Sequence, residues 1–177
     1  YSQIRNSGFT PNLTILLPVK NEELFIERKI LEATSMTYAQ GSVEFLIVDS
    51  GSTDNTLEIA ERKLMELVGP NSWRVITVDR PGKTLAVKQA MESVKTEFFV
   101  MMDADSKCTK DSLEKLIGWF ESPEIGAVCA HQYVSESENG VAYRSRFNTI
   151  RKGESALFST PIFEGSLCAF RIDALKG

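Results

Sequence analysis

The sequence predicts an α/β fold, a three-layer α/β/α sandwich built on a mostly parallel, doubly wound sheet. Short apolar runs alternate along the chain with segments whose apolar residues recur at helical spacing. Strands that helices cover on both faces read as such continuous apolar runs. Polar or charged residues follow several of the runs directly, and in this class of fold ligands bind at the carboxyl ends of the strands. We therefore expect a binding site at that edge of the sheet.

The composition indicates one globular domain. Of the 177 residues, 42% are hydrophobic and 25% are charged, which suffices for a sizeable core. The net charge of -4 offers no general basic field, so we expect no nucleic-acid partner. Three cysteines and one histidine lack the spacing of a zinc site and indicate reduced thiols in a cytosol-facing protein. No apolar stretch reaches the roughly 18 residues that cross a bilayer.

The first strand and helix follow a polar lead-in. Residues 13–17 form an apolar run that predicts a strand, and we expect Pro18 to end it because proline lacks a backbone donor. The spacing of apolar residues predicts a helix over 21–34. Glu22 and Glu23 are then expected in its first turn, where the helix dipole favours negative charge.

A second strand is predicted over 43–48, followed by a polar turn at 49–56 and a helix. The helix has three candidate capping residues: Ser52, Thr53 and Asp54. Asp49, at the end of the strand, has no evident structural role. It is therefore a candidate site residue.

A third strand is predicted over 73–78, and a Gly-Lys-Thr segment at 82–84 precedes the next helix. A P-loop requires glycine five positions before Gly82, where Thr77 stands, so we exclude a Walker-type nucleotide site. Lys83 remains either a charge for phosphate or a solvated surface lysine. The apolar face of the following helix is predicted to contain Val87, Ala90, Met91 and Val94.

The fourth strand, predicted over 98–102, ends in an Asp-Ala-Asp motif. Asp103 and Asp105 are two residues apart, so in an extended segment their side chains leave on the same side. Their oxygens can converge on a hard cation such as Mg²⁺ or Mn²⁺ that carries a diphosphate. The alternative is structural, with Asp105 or Ser106 capping the turn that follows.

The last third of the chain continues the alternation. An amphipathic helix is predicted to end near Pro123, and strands are predicted over 125–130 and 166–170. Its apolar positions are Leu113, Leu116, Ile117 and Phe120. Between the two strands we expect a partly exposed helix whose charges form a solvated face, carried by Arg144, Arg146, Arg151, Lys152 and Glu154.

Taken as a series, these segments resemble the inverting GT-A glycosyltransferases of family 2. Residues 15–22 resemble the opening strand and Pro-x-x-Asn-Glu turn, 46–54 the second strand and its loop, and 81–86 the Gly-Lys segment. Residues 102–105 resemble the Asp-x-Asp strand, and 164–171 the later glycine turn and strand. The resemblance covers roughly 12–177 and is nearest to the membrane-associated synthases of cellulose, hyaluronan and poly-N-acetylglucosamine. It implies the GT-A fold, the Rossmann-like fold of nucleotide-diphospho-sugar transferases.

The resemblance also implies a function. A hexosyltransferase of this family binds a nucleotide-sugar, here expected to be a UDP-sugar, with Mn²⁺ or Mg²⁺, and transfers the sugar with inversion to a glycan or lipid-linked acceptor. Asp49 is implied to accept from the base, Lys83 to lie near base and phosphates, Asp103 to meet the ribose or the metal, and Asp105 to coordinate the metal. The implied substrate-binding residues are Pro18, Val19, Lys20, Glu22, Asp49, Ser50, Gly51, Lys83, Asp103, Ala104 and Asp105, and the implied metal ligands are Asp103 and Asp105.

The sequence departs from the family pattern at three points. Lys20 stands where many members carry an aromatic residue, so packing against the base would rely on its aliphatic stem. Lys88 replaces an asparagine that is common after the Gly-Lys segment. Ser106 follows the Asp-x-Asp motif directly, unlike the Leu-Ser-His continuation of dolichyl-phosphate mannose synthases.

The catalytic base of the family is an acidic residue that follows the Ala-Phe-Arg strand by some distance. Asp173 comes too early to match it, and Glu164 is only a remote candidate. The catalytic residue is therefore unknown, and we expect the base beyond Gly177. From its first residue and from where it ends, we expect 1–177 to be one domain excised from a longer protein, able to bind donor and metal but poor in transfer.

Two other functions compete with this interpretation. The same sheet could serve as a non-catalytic nucleotide-binding module, although such a scaffold requires none of the implied site residues. A nucleotidyltransferase usually has a glycine-rich basic loop after its first strand, and residues 18–21 contain no glycine.

We expect a location on the cytoplasmic face of a membrane, reached only through segments outside this chain.

Overall fold

The computed structural model describes residues 8–38, 41–78, 83–130 and 166–175, with the backbone alone at 83–85. The elements in chain order are β1 (Leu13–Val19), α1 (Ile26–Thr34), β2 (Val43–Asp49), α2 (Thr56–Val68), β3 (Trp73–Thr77), α3 (Lys83–Ser93), β4 (Phe98–Met102), α4 (Ser112–Ile117), β5 (Ala127–Cys129) and β6 (Leu167–Arg171). Short 3-10 turns follow α4 and β6, at Gly118–Glu121 and Ile172–Leu175. The charged helix expected between β5 and β6 falls outside the described residues.

The described strands form one six-stranded sheet in the order β3-β2-β1-β4-β6-β5. Strands β1 to β4 are parallel to one another. Strand β6 runs antiparallel to both of its neighbours, β4 and β5. Strands β2 and β3 lie in succession on one side of β1, whereas β4 pairs with the other side of β1. This reversal of strand order is the topological switch point at which α/β proteins bind ligands.

The sheet has a hydrophobic core on each face, and successive residues of β1 point alternately into one core and the other. Leu13, Ile15 and Leu17 are fully buried in a core that includes apolar residues of α1, α2 and α4. Leu16 is buried on the opposite face, with Ala86 and Ala90 of α3. The predicted three-layer, mostly parallel α/β sandwich is confirmed.

The predicted apolar faces of two helices can be compared with this packing. The four residues predicted to line the helix before Pro123 are all buried. In α3 the most deeply buried positions are Ala86 and Ala90, whereas Val87 is half-buried. Ala90, Met91 and Val94 all lie in or against the core that contains Leu16, so three of the four predicted residues of this face are confirmed, and Ala86 is an additional buried position.

Pro18 does not end the first strand, so that prediction was wrong. Strand β1 continues to Val19, which pairs with Asp49 of β2. On its other side, the pairing of β1 with β4 already ends at Leu16. The Val19 carbonyl accepts from the amide of Ser50, on the β2 side, so the neighbouring Pro18 faces the β4 side. A proline that faces no paired strand costs the sheet no hydrogen bond.

The first helix begins five residues later than predicted, at Ile26. Residues 21–25 instead form a turn in which Asn21 has a φ of 55°, a left-handed conformation that asparagine tolerates. Glu27 is therefore the acidic residue of the first turn, and the dipole interpretation of Glu22 and Glu23 was wrong.

Within the described residues, no helix has the length and apolar character needed to cross a bilayer.

Candidate functional site

An open cleft of about 210 Å³ lies at the carboxyl ends of β1, β2 and β4. Its position is the switch point of the sheet, where the ends of β1 and β4 separate. The cleft is lined by Pro18, Val19, Lys20, Glu22, Ser50, Asp103, Ala104 and Asp105. All eight are candidate residues from the sequence, and they come from the end of β1 and from the loops after β1, β2 and β4.

Asp49, the last residue of β2, is only 2% exposed and is not among the residues that line the cleft. Its Oδ1 accepts from the Ser52 amide at 3.0 Å, and its Oδ2 accepts from the Gly51 amide at 3.3 Å. Gly51 has a φ of 88°, which its lack of a Cβ permits. Asp49 thus closes its own loop, so the view that it has no structural role was wrong. Its contact with a nucleoside base stays a prediction.

Lys83 is the first residue of α3, at the start of the helix that follows β3. Its side chain lies outside the described residues, and its predicted role near base and phosphates stays a prediction. The two predictions about the catalytic base also concern residues that the structure does not describe. Glu164 and Gly177 both lie outside the described residues, so neither the remote candidate Glu164 nor a base beyond Gly177 is tested by the structure.

The turn after β1 is hydrogen-bonded to the loop after β2, and Asn21 makes the first of these contacts. Its amide donates to Ser52 Oγ at 3.0 Å, and its Oδ1 accepts from the Thr53 amide at 2.8 Å. The Glu22 amide donates to Thr56 Oγ1 at 2.7 Å. The left-handed φ of Asn21 is incompatible with α1, and these bonds fix the backbone of 21–23 against the loop after β2. They also hold Lys20 and Glu22 at the cleft wall.

Asp54 completes this connection. Its Oδ2 accepts from the Glu23 amide at 3.2 Å, and its Oδ1 accepts from both the amide and the hydroxyl of Thr56. Asn55 occupies the N-cap position of α2 without a side-chain capping bond. Of the three candidate capping residues, Asp54 is therefore the one that binds the first turn.

These contacts predict a pH dependence. Desolvation raises the pKa of Asp54, but hydrogen bonds from Thr56 and Glu23 outweigh it and hold the pKa below its ordinary value of 3.8. Because the folded-state pKa is lowered, the stabilisation is present above 3.8 and is lost as pH falls through the folded-state pKa. We expect Asp54→Asn to lower the stability at pH 7 and the difference from the wild type to shrink at acid pH. Urea unfolding at pH 7 and pH 3 measures this; an unchanged difference would contradict it.

The loop after β4 carries the two aspartates. Asp103 is half-buried, Ala104 is 4% exposed and Asp105 is exposed. The amide and hydroxyl of Ser106 both donate to the Asp103 carbonyl, at 3.2 and 2.8 Å. Helix α4 begins only at Ser112, so Asp105 and Ser106 cap no helix and the predicted helix cap was wrong, although Ser106 closes the turn that contains both aspartates.

The charges of the cleft indicate what it can bind. Among the described residues that line it, three carboxylates, those of Glu22, Asp103 and Asp105, stand against one ammonium, that of Lys20. Among the described residues, no group of three or more acidic, histidine or cysteine side chains could enclose a metal ion. Mg²⁺ and Mn²⁺ prefer oxygen ligands, and Mg²⁺ is commonly held by one or two carboxylates with the remaining positions filled by water and substrate phosphates. The cleft fits a metal that arrives with an anionic ligand, not a closed structural metal.

One feature of the site was missed at the sequence level. Lys29 lies on the inner face of α1 with Ile26, Ile30 and Ala33, and it is 0% exposed. Its Nζ donates to the carbonyl of Ser106 at 2.6 Å, directly behind the aspartate loop. A lysine at a core position of a helical apolar pattern is a signal that could have indicated it.

Comparison with known proteins identifies the family. Residues 14–177 match the family described as Glycosyl transferase family 2. The chain belongs to this family. The predicted family and the GT-A fold are therefore confirmed, and the motif series that carried the resemblance lies within the matched residues.

Individual relatives show the same relationship. The beta-monoglucosyldiacylglycerol synthase of Nostoc sp. is 26% identical over 88% of this chain and 32% of its own length. The poly-beta-1,6-N-acetyl-D-glucosamine synthase of Staphylococcus epidermidis is 23% identical over 93% of this chain and 40% of its own length. The family 2 domain thus spans about a third of the length of the first of these relatives.

A solved structure has a closely similar fold. The mannosyltransferase PcManGT from Pyrobaculum calidifontis, in complex with GDP-Man and Mn²⁺, superposes with a TM-score of 0.82 and 28% identity. The alignment covers 98% of this chain and 48% of that enzyme.

Proposed function

We propose that this domain binds the donor of a glycosyltransferase reaction, a nucleoside diphosphate sugar, together with Mn²⁺ or Mg²⁺ in the cleft between β1 and β4. The observation that carries the proposal is the excess of carboxylates among the described lining residues at the switch point of a family 2 domain. A diphosphate would be repelled by Glu22, Asp103 and Asp105 unless a divalent cation came with it. The Mn²⁺ and GDP-Man in the Pyrobaculum enzyme support this pairing.

The proposed roles follow the shape of the cleft. Pro18 and Val19 provide an apolar wall for the nucleoside, and the Lys20 ammonium faces the diphosphate of the donor. Asp103 and Asp105 hold the cation, which when bound neutralises charge as it develops on the leaving diphosphate. Asp49 keeps the adjacent loop closed and supplies spare lone pairs for a base NH.

Transfer of the sugar with inversion requires a base that reaches the acceptor hydroxyl. Asp173 is exposed and follows the carboxyl end of β6, which pairs with the amino end of β4, so it lies at the opposite edge of the sheet from the cleft. This location agrees with the expectation that Asp173 is not the base. We assign no described residue to that role, and a base that follows Gly177 stays a prediction.

The acceptor and cellular location belong to the same proposal. The Nostoc and staphylococcal relatives are named for a glycolipid and a polysaccharide product, which supports a lipid-linked or glycan acceptor. A hexosyl donor and a location on the cytoplasmic face of a membrane stay predictions. The non-catalytic module and the nucleotidyltransferase remain alternatives that no contact in the cleft favours.

Calorimetric titration tests the proposal and shows which nucleobase the donor carries. We expect UDP to bind the domain with Mn²⁺ on the order of a hundredfold more tightly than in EDTA, because the cation offsets the repulsion between the diphosphate and the carboxylates of the cleft. GDP measured in parallel decides between the predicted uridine donor and a guanosine donor like that of the Pyrobaculum enzyme. Binding of neither nucleotide with Mn²⁺, or binding that ignores the metal, would contradict the proposal.

A further inference from the structure

A buried ion pair lies behind the aspartate loop. Lys29 Nζ is 2.9 Å from Glu32 Oε1, and the lysine side chain is 0% exposed while that of the glutamate is 19% exposed. Burying an ammonium carries a desolvation penalty that its ion pair can fail to recover. Fold stability alone is therefore a weak reason for a lysine at this core position.

The ammonium is bound mainly by the loop. Lys29 Nζ donates to the Ser106 carbonyl at 2.6 Å and to Ser106 Oγ at 3.1 Å. The Ser106 hydroxyl in turn donates to the Asp103 carbonyl at 2.8 Å. A continuous path of hydrogen bonds therefore runs from the interior of α1 to the backbone of the first aspartate.

The other end of the loop is held by the same helix. Glu32 Oε1 accepts from the Cys108 amide at 2.8 Å. On the exposed side, Arg28 Nη2 donates to the Asp105 carbonyl at 3.4 Å. Three residues of α1 thus contact the backbone of 103–108 and leave both aspartate side chains at the cleft.

We propose that Lys29 is a positioning residue, which with Glu32 and Ser106 holds the 103–108 loop so that Asp103 and Asp105 are arranged for the divalent cation before it arrives. The inference rests on the proposed function, since it concerns how the same cleft acquires its metal. Groups that orient metal ligands from behind commonly affect metal affinity about 10- to 100-fold.

Two variants test this role. The double substitution Lys29→Met with Glu32→Gln removes both charges together, avoids an uncompensated buried carboxylate and keeps an acceptor for the Cys108 amide. Ser106→Ala removes only the hydroxyl that links Lys29 to Asp103. Lys63→Met is the matched control, because Lys63 makes similar ion pairs with Glu27 and Glu66 on the solvent side of α1 and α2.

The readouts are Mn²⁺ affinity in the presence of UDP, UDP affinity in EDTA, and hydrogen exchange of the Ser106 and Cys108 amides. We expect the double variant to weaken Mn²⁺ binding by roughly tenfold or more, and Ser106→Ala by a few-fold, with metal-free UDP binding unchanged. Exchange at Ser106 should accelerate in both variants without Mn²⁺, and Lys63→Met should resemble the wild type.

The outcomes separate the two proposals. If the folded variants bind Mn²⁺ and UDP as the wild type does, the positioning role is overturned while the donor site stands. Equal loss of metal-dependent and metal-free binding would show a general structural role instead and would also overturn it. If the wild type binds no nucleotide with Mn²⁺, the proposed function itself fails, and loop exchange alone then shows whether Lys29 orders 103–108.

Discussion

Replacing Asp105 with alanine should abolish metal-dependent UDP binding while leaving the fold intact. The side chain is exposed at the cleft and follows β4 without joining it, so its removal exposes no core. Losing one of two carboxylate ligands should weaken Mn²⁺ binding on the order of a hundredfold, given the charge stabilisation a metal supplies. Calorimetry with UDP and Mn²⁺ measures the loss, and thermal unfolding checks the fold.

Glu124→Ala provides the control for this prediction. Glu124 is also an exposed carboxylate, but it precedes β5, whose amino end lies at the edge of the sheet opposite the cleft. It should leave binding unchanged. Unaltered metal-dependent binding in Asp105→Ala would place the metal elsewhere.

Replacing Arg171 with methionine should lower the free energy of unfolding by about 2–4 kcal/mol, because several bonds to one partly buried cation are lost together. The guanidinium donates to the carbonyls of Phe120 at 2.8 Å and Ile125 at 3.4 Å, and pairs with Glu97 at 2.5 Å. It also lies 4.8 Å from the centre of the Phe98 ring. Methionine keeps much of the apolar stem but leaves these carbonyls without their donor. Urea denaturation measures the difference.

Arg74→Met is the matched control. Arg74 lies on the edge strand β3, where it donates to Glu44 and to the Ser93 carbonyl with both ionic side chains partly exposed. Its loss should cost about 1 kcal/mol or less, because exposed ion pairs contribute little. Equal effects of the two substitutions would contradict the expectation that the bonds of Arg171 to the Phe120 and Ile125 carbonyls stabilise the fold more than an exposed ion pair does.

Much of this molecule follows from local pattern. The apolar run at 98–102 is a strand because its side chains are covered on both faces, and its abrupt end in Asp103 and Asp105 brings two carboxylates to the cleft. The same reasoning applies to Ser50, directly after β2. Parallel strands bring their carboxyl ends to one edge, so residues that follow separate strands meet without any knowledge of their contacts.

Long-range contacts decided the rest. Glu22 and Glu23 were predicted to lie in a helix, whereas they form a turn whose amides are bonded to a loop more than thirty residues away. Asp49 has a structural role because it accepts from amides of its own folded loop. Lys29 lies behind the aspartates because it donates to Ser106, which is 77 residues away in the chain. Periodicity reports which side of an element is buried, but the partner of a buried polar group depends on which distant segment packs against it. Such groups must find a partner once water is excluded, and that choice is made only when the chain has folded.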